Sequence, residues 1–281
     1  MNNSSVVIQC PHCFGKIEID LRTAARSETH TAVLQDGTRR AVDLSIVCVS
    51  EGRPRAERFF EHFRDVANDL GAELVIGIDM KDPNNLDGMR LAQKFADTLV
   101  IVKSEGFVES VINDVVAAAH GRWIFVLDDD EMLSHALWEW LRNRGYVDGV
   151  TQLWEFPTAA VWPTSMTFLT DEKHWPDIHT RLMTWRFAEW NPTPHGGHKY
   201  GRGVLCPAAI VHYRYLVKPL DERREIYETR DEGAAKHHHM LLEEHYAESG
   251  VTIYELGSGY FENVAALRDK GVKIFPGGHN A

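Results

Sequence analysis

The sequence predicts an α/β protein built on a parallel sheet with helices on both faces. Between residues 44 and 150, short apolar runs alternate with segments of helical periodicity. The runs are apolar nearly throughout, which is typical of strands buried on both faces. Each run but the last is followed by a helix long enough to cross over to a parallel neighbour.

Four strands and three helices make up this part of the chain. The predicted strands are the runs at 44–50, 73–79, 98–103 and 122–127. The helices cover 55–70, 86–96 and 108–119, each with apolar side chains on one face. Ligands of such sheets bind at the carboxyl ends of the strands, so the polar residues that come after the strands are candidates for one site.

Three further segments flank this sheet. Residues 1–43 predict a small β-hairpin around Cys10-Pro-His-Cys13, followed by a linker. Residues 151–218 predict mixed strands with long loops rich in Trp, Pro and His. Residues 219–281 form a C-terminal segment that we expect to be helical, with a charged helix over 220–246.

The composition favours a cytoplasmic enzyme. The 281 residues are 44% hydrophobic and 25% charged, and no apolar run approaches the roughly 20 residues of a membrane span. We see no signal peptide at the N-terminus. A net charge of −11 argues against broad nucleic-acid binding. Four unevenly spaced cysteines favour a reducing compartment over a disulfide framework.

An acidic cluster comes after the fourth predicted strand. Asp128, Asp129, Asp130 and Glu131 directly succeed a buried apolar run, where carboxylates are costly unless something positive neutralises them. Asp128 and Asp130 share one side of an extended chain and can hold one ion. Mn²⁺ or Mg²⁺ suits such oxygens and also takes substrate phosphates. The pattern therefore predicts a metal and nucleotide-diphosphate site; a solvated turn is the alternative.

Phosphate-binding glycine loops are absent from the sequence. No G-x-x-x-x-G-K-[ST] motif occurs, and no G-x-G-x-x-G follows a strand. A metal would therefore have to carry the diphosphate, which disfavours a simple kinase or a dinucleotide enzyme.

A longer set of residues resembles the family 2 glycosyltransferases of the GT-A fold, nearest to bacterial lipopolysaccharide-core-type members. The matching positions, in the order typical of that family, are Gly106, Phe107, Asn113, Gly121, Trp123, Asp128, Asp130 and Glu131, then Trp175-Pro176-Asp177, Arg181-Leu182-Met183 and His212-Tyr213. The resemblance covers residues 44–230, and its Asp-x-Asp motif is the most specific part. Ile112 stands where the family commonly has Arg.

The resemblance implies a Rossmann-like nucleotide-sugar-binding half over 44–150 and a mixed acceptor-side half over 151–218. It implies transfer of a sugar from a nucleotide-diphosphate donor to an acceptor, with inversion expected. The acceptor stays open among a glycan, a lipid-linked sugar, a protein and, least favoured, a nucleic acid. A nucleotidyl- or phosphoryl-transferase using the same aspartates and a non-catalytic nucleotide-sugar binder are the alternatives.

The resemblance also implies roles for individual residues. The expected donor-binding residues are Ser50, Glu51, Asp79, Asn113, Asp128, Asp129 and Arg181. Asp128, Asp130 and His212 would bind the metal, which neutralises charge on the departing nucleoside diphosphate; for His212, a satisfied strand-end histidine is the alternative.

Asp177 is the expected catalytic base that takes the proton of the acceptor hydroxyl. It lies in the aromatic loop HWPDIH, where partial burial would raise its pKa. A loop aspartate that caps its own backbone is the alternative. Trp154, Trp162, Trp175 and Trp190 are candidate sugar-stacking surfaces, or core residues.

Cys10 and Cys13 resemble half of a zinc ribbon. A second pair of ligands is missing from the sequence, so Zn²⁺ shared across a homodimer and a metal-free hairpin both remain open.

Overall fold

The computed structural model describes residues 42–80, 86–165, 167–171, 174–194 and 196–230, together with short strands at 5–9, 16–20 and 253–255. The strands are β1 (Ser5–Gln9), β2 (Lys16–Asp20), β3 (Leu44–Ser50), β4 (Glu73–Asp79), β5 (Thr98–Val102), β6 (Trp123–Asp128), β7 (Glu131–Leu133), β8 (Leu153–Ala160), β9 (Thr167–Leu169), β10 (Asp177–Thr184), β11 (Val204–Leu205), β12 (Ile210–His212) and β13 (Ile253–Glu255). The helices are α1 (Glu57–Leu70), α2 (Leu86–Gln93), α3 (Ile112–Ala117), α4 (His135–Arg142), α5 (Arg214–Val217) and α6 (Leu220–Arg230), with single 3₁₀ turns at Pro54–Ala56, Val108–Ser110 and Trp185–Phe187.

A nine-stranded mixed sheet forms the centre of the protein. Its strand order is β5-β4-β3-β6-β10-β8-β12-β7, and β11 pairs with β8. The first four strands are mutually parallel, whereas β10 runs antiparallel to both β6 and β8. The predicted α/β class is confirmed, including the change from a parallel half to a mixed half after β6.

Hydrophobic clusters cover both faces of the sheet. On one face, α1 buries Phe59, Phe60 and Phe63 against β3 and β4. On the other face, α3 packs Val115 against β4. This contact is close because a Cβ at Gly77 would lie 2.5 Å from a methyl group of Val115. Burial on both faces explains why these strands are apolar throughout.

A glycine pair shapes the loop after β3, which borders the carboxyl edge of the sheet. Gly52 adopts φ +66°, and a Cβ there would lie 2.5 Å from the Cα of Gly88 at the start of α2. A side chain on Gly52 would push the loop away from the helix. The absence of side chains at both positions therefore allows the loop to lie directly against α2 at the carboxyl edge of the sheet.

The outer segments agree with their predictions in part. β1 and β2 form the expected antiparallel hairpin, while Cys10 and Cys13 lie outside the described residues, as does the proposed zinc site. The predicted helix over 220–246 is present as α6 up to Arg230, where description of this stretch ends. The C-terminal segment also contributes a strand, β13, paired antiparallel with β9. Within the described residues, no helix is long and apolar enough to cross a membrane.

Candidate functional site

The carboxyl ends of three parallel strands meet in one cavity of about 270 Å³, called here the donor cavity because the sequence predicts that several of its residues bind a sugar donor. Ser50 ends β3, Asp79 ends β4 and Asp128 ends β6. The full lining is Val49, Ser50, Glu51, Arg53, Arg55, Asp79, Ser104, Gly106, Phe107, Val108, Asp128, Asp129, Asp130, Arg214, Lys218, Glu222 and Glu225. The structure thus brings most of the predicted donor-binding residues together, as strand-end residues of a parallel sheet should be.

Ser50 and Asp79 tie the floor of this cavity to its loops. The Ser50 hydroxyl donates to Asp129 over 2.5 Å and accepts from the Gly52 N–H over 2.9 Å. Asp79 accepts from the backbone N–H and the hydroxyl of Ser104, over 2.9 Å and 2.5 Å. These contacts fix the loops after β3 and β5 around the open space.

Arg181 neutralises the inner side of the acidic cluster. Its guanidinium lies 2.7 Å from an oxygen of Asp128 and 2.7 Å from an oxygen of Glu131. Glu131 is fully buried and also accepts from the Asp128 N–H over 2.9 Å. Burial alone would raise the pKa of Asp128, but Arg181 outweighs it and lowers the pKa to about 2. Burial does raise the pKa of Glu131, since one guanidinium serves both carboxylates.

Lys218 and His212 neutralise Asp130. One oxygen of Asp130 lies 3.1 Å from His212 Nε2, and the other accepts from Lys218 Nζ over 2.5 Å. Burial would raise the pKa of Asp130, but these two groups hold it well below its ordinary value. Asp129 accepts from the Ser50 hydroxyl and lies close to Asp130, and burial raises its pKa to about 6. The cluster is therefore only partly neutralised by the protein.

A divalent cation fits the chemistry of this cavity. Its described lining carries seven carboxylates against four cationic side chains, which is an excess of negative charge. Carboxylate oxygens are hard ligands, and each can accept more than one contact, so pairing with protein donors does not exhaust them. In the part of the chain that the structure describes, no group of three or more His, Cys, Asp or Glu side chains is arranged so that it could hold a metal ion.

Three of the residues predicted to bind the donor or the metal do not line the donor cavity: Arg181, whose contacts are given above, His212 and Asn113. His212 contacts Asp130 and does not line the cavity, so it is placed to position that carboxylate. Asn113 holds the backbone of Trp190, donating to its carbonyl over 2.9 Å and accepting from its N–H over 2.9 Å. Their assignment to metal and donor binding remains a prediction.

The sequence does not indicate the basic residues that line the donor cavity. Arg53 and Arg55 come after β3, and both pair with Glu222 of α6. Arg214 begins α5 and Lys218 directly follows it, more than 80 residues after the aspartates of the cluster. The run from His212 to a lysine before a charged helix was visible in the sequence, but nothing local indicated which acids it would meet.

A second cavity of about 350 Å³ adjoins the donor cavity and is called here the side cavity. The two share Val49, Val108 and Asp128. The rest of its lining is Glu109, Ile112, Val126, Leu127, Glu155, Ile178, His179, Thr180, Arg181, Trp190, Gly197, His198, Gly201 and Arg202. All four tryptophans predicted as sugar-stacking surfaces pack in hydrophobic clusters, and Trp190 also lines the side cavity.

Asp177 differs from expectation in its ionisation. We expected burial to raise its pKa; burial does act in that direction, but His179 outweighs it and the pKa is lowered. Asp177 Oδ1 lies 2.9 Å from His179 Nε2, and its side chain is 46% exposed. A carboxylate held this firmly in its ionised form is a weak base, and the cause is a neighbour on the same strand.

Comparison with known proteins finds similar solved structures only. No protein-family model matches the chain, and no curated protein matches it. Solved structures similar to it include TarS 1–349 from S. aureus in complex with UDP, at 13% identity and a TM-score of 0.40, covering 74% of this chain and 73% of that one. HddC from Yersinia pseudotuberculosis is similar at 11% identity and a TM-score of 0.36, covering 60% of this chain and 90% of that one.

A UDP-glucose pyrophosphorylase complexed with UDP-glucose is similar at 10% identity and a TM-score of 0.32, covering 61% of this chain and 90% of that one. At these TM-scores the similarities assign neither fold nor activity. Function is therefore inferred from the contacts of the two cavities.

Proposed function

We propose that this protein is a metal-dependent glycosyltransferase that moves a sugar from a nucleoside-diphosphate donor to a hydroxyl acceptor, with inversion. The observation that carries the proposal is the donor cavity, where a carboxylate cluster at three strand ends lines the same space as basic side chains from the α5 region and the loop after β3. Sites of this kind in parallel sheets hold nucleotides across the strand ends.

The acidic and the basic residues of the donor cavity suit different parts of a nucleoside-diphosphate donor. Asp79 and Glu51 provide acceptors at the ends of β4 and β3, where a base or ribose would donate hydrogen bonds. Arg214 and Lys218 line the same cavity and provide cations for a diphosphate. The family resemblance likewise assigns Glu51 and Asp79 to donor binding.

Asp128, Asp129 and Asp130 would hold Mn²⁺ or Mg²⁺, which supplies Lewis-acid stabilisation of the leaving diphosphate. The chain itself contributes orientation: Arg181 fixes Asp128, while His212 fixes Asp130. Lys218 donates to Asp130 as well. Because its aliphatic stem is flexible, its ammonium group can turn towards a phosphate oxygen of a bound donor.

Calorimetric titration of UDP, GDP, CDP and dTDP, with and without Mn²⁺, tests the proposal. We expect one nucleotide to bind in a metal-dependent manner, and Asp130→Asn to weaken that binding at least about 10-fold because it removes one anionic ligand. Asp87→Asn is the matched control, since Asp87 is a 94% exposed aspartate on α2, and it should bind like the wild type.

Failure of all four nucleotides to bind would contradict the proposal. If one binds, mass spectrometry of the products from the corresponding nucleotide sugars separates the alternatives. Glycosyl transfer releases the nucleoside diphosphate and leaves the sugar without phosphate on the acceptor. Nucleotidyl transfer would instead break the bond between the two phosphates, and a non-catalytic binder would return the donor intact.

A further inference from the structure

We propose that His179 is the base that takes the proton of the acceptor hydroxyl, that Asp177 positions it, and that the side cavity binds the acceptor. The inference rests on the proposed glycosyl transfer. It moves the chemical role from Asp177, where the family resemblance placed it, to its neighbour two residues later on β10.

The position of His179 favours it over Asp177. His179 lines the side cavity, whereas Asp177 lines neither cavity and reaches the histidine from the start of β10. Asp128 belongs to both cavities, so the sugar of a bound donor would lie where they meet. Arg181, which binds Asp128, comes two residues after His179 on β10.

The ionisation of the pair favours the same assignment. Asp177 is held ionised, which makes it a weak base but a good partner for an imidazole. Its Oδ1 lies 2.9 Å from His179 Nε2, so Nδ1 is the nitrogen that can accept a proton from a substrate. A carboxylate that fixes the tautomer of a histidine while the other nitrogen takes the proton is a recurrent arrangement for activating hydroxyl groups.

The side cavity has the character of an acceptor site. Its volume falls within the range of small-molecule sites. Besides His179, the charged groups around it include Arg181 on the same strand, Glu155 on β8 and Arg202 on the loop before β11. With Trp190 as an apolar wall, this lining suits a polar, hydroxyl-bearing acceptor such as a sugar.

The transfer step balances without another reactant. The acceptor oxygen forms a bond to the anomeric carbon as the bond from that carbon to the phosphate oxygen breaks, and this electron pair leaves with the nucleoside diphosphate. The acceptor proton moves to Nδ1 of His179, and the imidazolium returns it to solvent. An imidazole that is 45% exposed can make this last exchange directly.

The test measures release of the nucleoside diphosphate from nucleotide sugars of whichever base the titration identifies, with water and a panel of monosaccharides as acceptors. His179→Asn should lower kcat about 100-fold or more, while the nucleotide Kd stays within about twofold of the wild type because the donor cavity is untouched. His135→Asn, a substitution of an exposed histidine on α4, is the matched control and should keep full activity.

Imidazole in solution separates a chemical role from a structural one. The His179→Gly variant should regain activity as imidazole is added. Asp177→Asn should lower kcat at least about 10-fold when His179 is present, and should have no further effect in the His179→Gly background with imidazole. A residue that only stabilised the strand would give additive losses and no rescue.

Three outcomes would overturn the inference. Full activity of His179→Asn with intact nucleotide binding rules out the base. If Glu155→Gln loses activity while His179→Asn keeps it, the buried carboxylate of Glu155 is the base instead. If the wild type binds a nucleotide but releases no nucleoside diphosphate from any nucleotide sugar, even with water as the acceptor, the side cavity does not hold an oriented base. Absence of nucleotide binding, in contrast, refutes the proposed function itself.

Discussion

Replacing Arg181 by methionine removes the guanidinium that joins Asp128 and Glu131. Methionine keeps much of the side-chain volume but leaves two carboxylates without the cation that lies 2.7 Å from each. Hydrogen bonds to charged groups contribute roughly 1.5–3 kcal/mol each. Breaking a buried ion pair on one side costs about 3–5 kcal/mol. We therefore expect the free energy of unfolding to fall by about 3–5 kcal/mol.

Urea denaturation followed by circular dichroism measures this loss. Arg90→Met is the matched control, because Arg90 pairs with Asp87 on an exposed face of α2 where ion pairs contribute less than about 1 kcal/mol. Arg181→Met combined with Glu131→Gln should recover part of the stability, since the fully buried carboxylate is then neutral. A loss below about 1 kcal/mol in the single variant, or no recovery in the double variant, would contradict this role for Arg181.

Three other predictions concern stability away from the donor cavity. Glu73 accepts hydrogen bonds from Ser45 over 2.6 Å and from the His120 N–H over 2.8 Å, so Glu73→Gln should cost about 1–3 kcal/mol in urea denaturation without changing nucleotide affinity. Burial lowers the pKa of His62 to about 4, so the unfolded chain binds its proton more readily. The free energy of unfolding should therefore fall as the pH drops from about 6.5 to 4, by about 3 kcal/mol more in the wild type than in His62→Gln. Gly77→Ala should lower Tm and reduce the free energy of unfolding by about 1–3 kcal/mol. The reason is that the new methyl group would lie 2.5 Å from a methyl carbon of Val115 on α3.

The parallel half of the sheet could be predicted from the sequence because its strands are buried on both faces. The strand predicted at 73–79 is β4 with the same bounds, because a nearly continuous apolar run is typical of a strand that is buried on both faces. The helix predicted over 108–119 instead divides into a 3₁₀ turn at Val108–Ser110 and the short α3. Its apolar spacing was correct, but the backbone of Val111, at φ −130°, leaves the helical range, and apolar spacing does not report such a change.

The ionisation of the site could not be predicted in the same way. Burial raises the pKa of Asp177, as the sequence predicts, but this is one contribution among several. The sign of the whole shift depends on His179, which faces Asp177 only because both lie on the same side of β10. Alternation along a strand would have suggested this pair once the strand, and not a loop, was assigned to 177–184.

The charge balance of the acidic cluster connects the fold to the proposed chemistry. Arg181 reaches it from an antiparallel strand and Lys218 from the end of α5, so the cations come from the mixed half of the sheet and the acids from the parallel half. These partners suffice to keep Asp128 and Asp130 ionised, yet burial still raises the pKa of Asp129 to about 6. Positive charge is thus in short supply at the place where a diphosphate would bind. An incoming cation satisfies both the aspartates and the phosphates, which is why we expect metal dependence from the seven carboxylates around this cavity and not from the Asp-x-Asp motif alone.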